Sequence, residues 1–133
     1  MRTLIVAIAC AGVVAWSGMS EAAQLASPTI YGTLDQFLAE CAVINGGGNA
    51  QAVSVKLVSE FGQTIGPVSC GGPTLAAGDA CSLSAIIDNT TAYACVATAG
   101  SVANLRGALV FHRHVQDSSG ILVLHPIRFS PLR

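Results

Sequence analysis

Residues 51-QAVSVKLVSE-60 set apolar Val53, Val55 and Leu57 against polar Ser54 and Lys56. A period of two puts one face of an extended chain in a core and the other in water. The segment opens after 45-NGGGN-49, a flexible turn, and closes at Glu60-Phe-Gly-Gln63, so it reads as a half-buried strand between two reversals.

The same rhythm continues on both sides. Cys41-Ala-Val-Ile-Asn45 precedes it, and Thr64-Ile-Gly-Pro-Val-Ser-Cys70 follows as a weaker strand, because Pro67 cannot donate to a ladder and suits an edge. Cys81, Leu83 and Ala85 alternate with Ser82 and Ser84, Ala92–Thr98 follows the turn at Asp88-Asn-Thr-Thr91, and two last strands are expected near 104–115 and 121–129. About seven short strands with a turn signal roughly every ten residues predict an all-β fold, a two-layer antiparallel β-sandwich. Thr33-Leu-Asp-Gln36 has capping-box spacing, and Leu34, Phe37, Leu38 and Cys41 have helical spacing. A short N-terminal helix and an irregular first strand are both open there. Residues from 23 to Pro28 are expected to be loose.

The chain has 133 residues, 52% of them apolar and 10% charged, with a formal charge of −1. That length suits one domain. Much of the apolar excess lies in 1-MRTLIVAIACAGVVAWSGMSEA-22: positive Arg2, an apolar run from Leu4 to Trp16, then small and polar residues, the layout of a signal peptide. The run is shorter than the ~20 residues of a spanning helix. Residues 1–22 are therefore expected to be cleaved before Ala23, leaving a single sandwich domain at 23–133, secreted or periplasmic. Cys10 does not read as a lipid-attachment cysteine, because the apolar run before it is too brief. The mature part keeps five basic residues, Lys56, Arg106, Arg113, Arg128 and Arg133, and six acidic ones. Without a basic patch there is no counterion-release drive toward nucleic acid and no polybasic hold on an anionic membrane surface. Neither partner is expected.

Cleavage leaves Cys41, Cys70, Cys81 and Cys95, an even number in a small exported domain, which reads as two disulfides. Their spacings of 29, 11 and 14 residues do not fit the close ligand pairs of a zinc site. Four cysteines allow three pairings, and sequence alone leaves them open. The expected one joins Cys41 to Cys95 across a core and Cys70 to Cys81 around a Gly/Pro-rich loop. Tyr93-Ala-Cys95 places a tyrosine two residues before a core cysteine, with Cys41 lying 54 residues upstream. This resembles the tyrosine corner and inter-sheet bridge of immunoglobulin-like domains. The resemblance covers a few residues, lacks the family's core tryptophan since Trp16 belongs to the signal, and implies a structural role for Tyr93.

His112, His114 and His125 fall within fourteen residues around a turn and are the candidate metal ligands. Convergence depends on register. A two-residue Ser-Ser loop would need positive φ at both serines, whereas a three-residue Ser118-Ser-Gly120 loop needs it only at Gly120. The second register opposes Asp117 to Ile121 and Arg113 to His125, sending His125 to the other face. It also gathers Leu109, Phe111, Val115, Ile121, Val123, Ile127 and Phe129 on one apolar face, which a one-residue slip would split. No metal and no cofactor are expected. The opposite face is not wholly polar: Val110, Leu122 and Leu124 accompany His112, His114 and Gln116, which points to partial cover.

No Gly-x-Ser-x-Gly elbow, phosphate loop with lysine or His-Glu-x-x-His pattern occurs, and Asp35 and Glu40 lack surroundings that would split their pKa values. An enzyme is not expected. The leading expectation is a non-catalytic structural or protein-interaction module whose partner is another extracytoplasmic protein. The alternative is a small-ligand or carbohydrate binder using loops at one end of the sandwich, with Phe61 and then Tyr31 as exposed aromatic platforms.

Overall fold

The computed structural model describes residues 22–133. All but the last residue of the expected signal segment 1–22, Cys10 and Trp16 included, lies outside the described residues. Eight strands follow in order: β1 (Ala23–Ala26), β2 (Leu38–Asn45), β3 (Val53–Ser59), β4 (Thr64–Ser69), β5 (Ala80–Ile86), β6 (Tyr93–Ala99), β7 (Leu105–Gln116) and β8 (Leu122–Pro131). They form two four-stranded antiparallel sheets, β1-β6-β3-β4 and β5-β2-β7-β8, stacked as a two-layer sandwich.

The core lies where the inward residues of the two sheets meet. Val53, Val55 and Leu57 of β3 face it as their alternation requires, with Cys95, Ala97 and Ala99 of β6 beside them. Ala39, Cys41 and Val43 of β2 and Leu105, Leu109 and Phe111 of β7 meet them from the other sheet. Two disulfides tie the layers together. Cys41–Cys95 joins β2 to β6 through the centre with Cα atoms 5.2 Å apart, and Cys70–Cys81 joins the end of β4 to β5 with Cα atoms 5.5 Å apart. Since β4 and β5 are edge strands of different sheets, the second bridge closes one lateral seam. The opposite seam is closed by backbone: Ala26 N donates to Arg133 O at 3.0 Å and Arg133 N to Ala26 O at 2.9 Å.

One open alternative is closed and two expectations are corrected. Among the described residues there is no helix. Leu34, which a helix would have buried, is 84% exposed. From Leu38 onward the backbone is taken by β5 on one side and β7 on the other. Gln36 does not cap a helix either: its buried Oε1 accepts from Gly32 N at 2.7 Å, and its Nε2 donates to Asp88 O at 2.8 Å and Thr91 O at 2.9 Å. Residues 23–26 are not loose but form β1, held by β6. That strand raises the count to eight.

The second correction lies in the last hairpin. Its turn is the three-residue loop: Asp117 N donates to Ile121 O at 2.9 Å, Gly120 has φ +85°, and Arg113 pairs with His125. Past His112–Pro126, however, β8 carries a bulge, so Phe111 pairs with Arg128 and Val110 with Phe129. One extra residue flips everything beyond it to the other face. Ile127 stays against the core, Ser130 is buried opposite Leu109, and Phe129 turns outward, 65% exposed.

Candidate interaction surface

The register separates the histidines. His112 and His114 stand on the outer face of β7, while His125 pairs with Arg113 on the inner side of the overhanging hairpin. His112 Nε2 lies 3.2 Å from Glu40 Oε2 on neighbouring β2. The His114 ring packs on Phe37 with centroids 3.8 Å apart. Among the described residues no three His, Cys, Asp or Glu side chains converge as a metal would require.

The acids serve as local staples. Asp35 takes a hydrogen bond from Thr33 and pairs with Arg113 Nη1 at 2.9 Å, which together hold its carboxyl below the usual range. Asp88 accepts from Thr90 N at 2.8 Å, Thr91 N at 2.7 Å and both threonine hydroxyls at 2.9 Å, and these bonds lower its pKa. Glu60 receives the Tyr31 hydroxyl at 2.9 Å and Ala92 N at 3.0 Å. The carboxylate beside it raises the Tyr31 pKa. Tyr31 is thereby tied down beside the turn whose tip carries Phe61, 75% exposed. Tyr93 is buried, and its backbone rather than its hydroxyl makes the connection: Tyr93 N donates to Ile30 O and Ile30 N to Tyr93 O, each at 3.0 Å.

The two outer faces differ in chemistry. On the β1-β6-β3-β4 sheet, the outward positions mix Gln24, Ser54, Lys56, Thr64, Ser69 and Thr98 with Ala26, Val58, Ala94 and Val96, and the two valines are half-buried. On the β5-β2-β7-β8 sheet, alternation sends out Ser82, Ser84 and Ile86 from β5, Leu38, Glu40, Ala42 and Ile44 from β2, Arg106, Ala108, Val110, His112, His114 and Gln116 from β7, and Leu122, Leu124 and Phe129 from β8. Ile44, Ile86, Leu122, Leu124 and Phe129 are all exposed, Ile86 at 72%. At the Ile44 end the small side chains of Ala42, Ala80 and Ala108 leave a shallow hollow of about 310 Å³, walled by Ile44, Arg106 and Phe129. Gly107 fits its floor because a Cβ there would stand 2.6 Å from Ala42 O. At the other end the β7–β8 hairpin runs past the start of β2, which stops at the Leu38–His112 pair, and presents Leu122 and Leu124 as knobs.

Part of this surface was visible in the alternation of the last hairpin, which carries Val110, Leu122 and Leu124. Unbroken alternation would put Phe129 in the core; the bulge turns it out. Ile44 and Ile86 join the patch only once β2 and β5 are placed beside β7. No family model matches the chain, and neither do any curated proteins or solved structures.

Proposed function

We propose that the chain is an exported, non-catalytic interaction module that meets an extracytoplasmic protein through the outer face of the β5-β2-β7-β8 sheet. The observation that carries this reading is that Ile44, Ile86, Leu122, Leu124 and Phe129 all stand exposed on this one sheet face, whereas the outward Val58 and Val96 of the other sheet are half-buried. Contiguous apolar patches beyond a few hundred Å² are uncommon on monomers and mark interaction sites. Two inter-sheet disulfides are compatible with an oxidising compartment and support export. The immunoglobulin-like resemblance is, in this reading, architectural. It extends to the bridge between β2 and β6 but not to connectivity, since β7 crosses to pair with β2, whereas the last immunoglobulin strand pairs beside the one bearing the second cysteine.

The test is a photo-cross-linking residue placed in turn at Ile44, Leu124 and Phe129, with Thr98 on the opposite sheet as control, expressed in the native host. Cross-linked protein at the three face positions and none at 98 is expected. Absence of cross-links at all three would overturn the reading. A large thermal shift with sugars, lost on replacing Phe61, would instead favour the loop end as a ligand site.

A further inference from the structure

We infer that Asn45 is a latent self-modification site: the closed fold keeps its side-chain amide intact, and opening of this end of the sandwich converts it to aspartate or isoaspartate, after which the end does not close again. The inference is independent of the apolar sheet face and of any partner.

Asn45-Gly46 has the residue types the reaction needs. The Gly46 amide nitrogen, once its proton has passed to hydroxide, attacks Cγ of Asn45. The new N–Cγ bond closes a five-membered succinimide, and the side-chain amide leaves as ammonia. Water then adds to either ring carbonyl, giving aspartate or, with the main chain rerouted through the side chain, isoaspartate. Glycine at 46 has no side chain to obstruct the attack, and Gly47 and Gly48 leave the freed segment able to turn into the ring-closing conformation. Asn49, Asn89 and Asn104 instead precede Ala50, Thr90 and Leu105, whose side chains hinder it.

The fold holds each reacting group away from this course. Asn45 ends β2, where its N donates to Asp79 O at 2.9 Å and its O accepts from Gly78 N at 2.7 Å, fixing an extended backbone from which the ring does not close. Its Nδ2 donates to Asn49 O at 2.9 Å and Leu75 O at 3.0 Å, and its Oδ1 accepts from Gly47 N at 3.1 Å. The nucleophile itself is engaged, since Gly46 N donates to Asn104 O at 2.9 Å. Asn45 is fully buried, although Gly46 beside it is exposed. Together these bonds join the loops that follow β2, β4 and β6, so the reaction waits on their parting.

The product does not fit the place it came from. A carboxylate at 45 would set oxygen against the Asn49 and Leu75 carbonyl oxygens that now receive the Nδ2 protons, and no group bonded to Asn45 is cationic. A buried charge without a counter-charge is strongly unfavourable. Isoaspartate adds a methylene group to the main chain as well, which spoils the pairing of Asn45 with Leu105. The buried amide thus records whether a copy of the protein has ever opened at this end.

The test is peptide-resolved mass spectrometry of the oxidised protein aged at mildly alkaline pH, folded and in urea. Amide loss at Asn45 is expected to be at least about tenfold slower in the folded protein, the factor being set by how seldom the end opens. Asn49 is the internal reference and should react slowly in urea, and Gly46→Ala should slow Asn45 in urea toward the rate of Asn49. For the second half of the inference, protein aged in urea is diluted into buffer and treated with protease. The resistant, refolded fraction should keep the amide at 45 and the digested fraction should hold the acid. Equal rates at Asn45 in the folded protein and in urea overturn the inference, as does acid at 45 equally abundant in the resistant and digested fractions.

Discussion

Removing the two disulfides separately should produce unequal losses, with the ranking set by loop length and burial. Cys41–Cys95 closes a separation of 54 residues and Cys70–Cys81 one of 11. In the chain-entropy treatment those loops correspond to about 4 and about 3 kcal/mol at 25 °C. Burial widens the gap a little: Cys41 and Cys95 are both fully buried, so alanine at each also leaves a void, whereas in the second pair Cys70 is buried but Cys81 is only partly covered. Against a total of ~5–15 kcal/mol for a small domain, Cys41→Ala/Cys95→Ala should be unfolded or nearly so, and Cys70→Ala/Cys81→Ala folded but weakened. Urea unfolding followed by circular dichroism, without reductant, gives both midpoints. The reasoning is refuted if the lateral bridge proves as costly as the central one, or if neither loss exceeds about 0.5 kcal/mol, the scatter of an inconsequential surface change.

Other outcomes follow from burial and charge. Leu57→Ala, in the fully enclosed row of β3, should cost about 2–5 kcal/mol in urea, whereas Leu124→Ser should change monomer stability by no more than about 0.5 kcal/mol; equal effects would mean that the faces are misassigned. Gln36→Leu leaves Gly32 N, Asp88 O and Thr91 O without their side-chain partner, a loss of at least about 1–3 kcal/mol with faster amide exchange in both loops. The carboxyls of Asp35, Asp88 and Asp117 all titrate below their ordinary value of 3.8 in the fold. A depressed carboxylate pKa gives stability that is present above the unfolded value and lost as pH falls through the folded one, so Tm should decline below about pH 4 and Asp88→Asn should flatten that decline. A Tm independent of pH between neutrality and strong acid would contradict this.

The fold was legible where local signals agree with long-range packing. The alternation of Val53, Val55 and Leu57 needs no knowledge of a partner, and the turn at Ser118-Ser-Gly120 fixes the hairpin register because only Gly120 readily takes a positive φ. Misses fall where the partner decides. Ala23–Ala26 carries no periodicity of its own and becomes a strand because β6 and Arg133 supply its hydrogen bonds. The stretch from Thr33 to Cys41 has a helical pattern, but β5 and β7 claim its backbone from Leu38, and Gln36 is used to join loops. The bulge near Ile127 has no mark in sequence, yet it moves Phe129 from core to surface. For that reason the site was only half visible: Val110, Leu122 and Leu124 could be read from one hairpin, while Ile44, Ile86 and Phe129 required sheet order and bulge.

Hydroxyl-radical footprinting of the protein in its native compartment tests most directly whether the apolar sheet face is covered. Phe61 and Phe129 are the same residue type at similar exposure in the isolated chain, 75% and 65%, so one calibrates the other. Strong oxidation of Phe61 with Phe129, Leu122 and Leu124 spared is the expected result; Phe129 oxidised as readily as Phe61 would contradict the account.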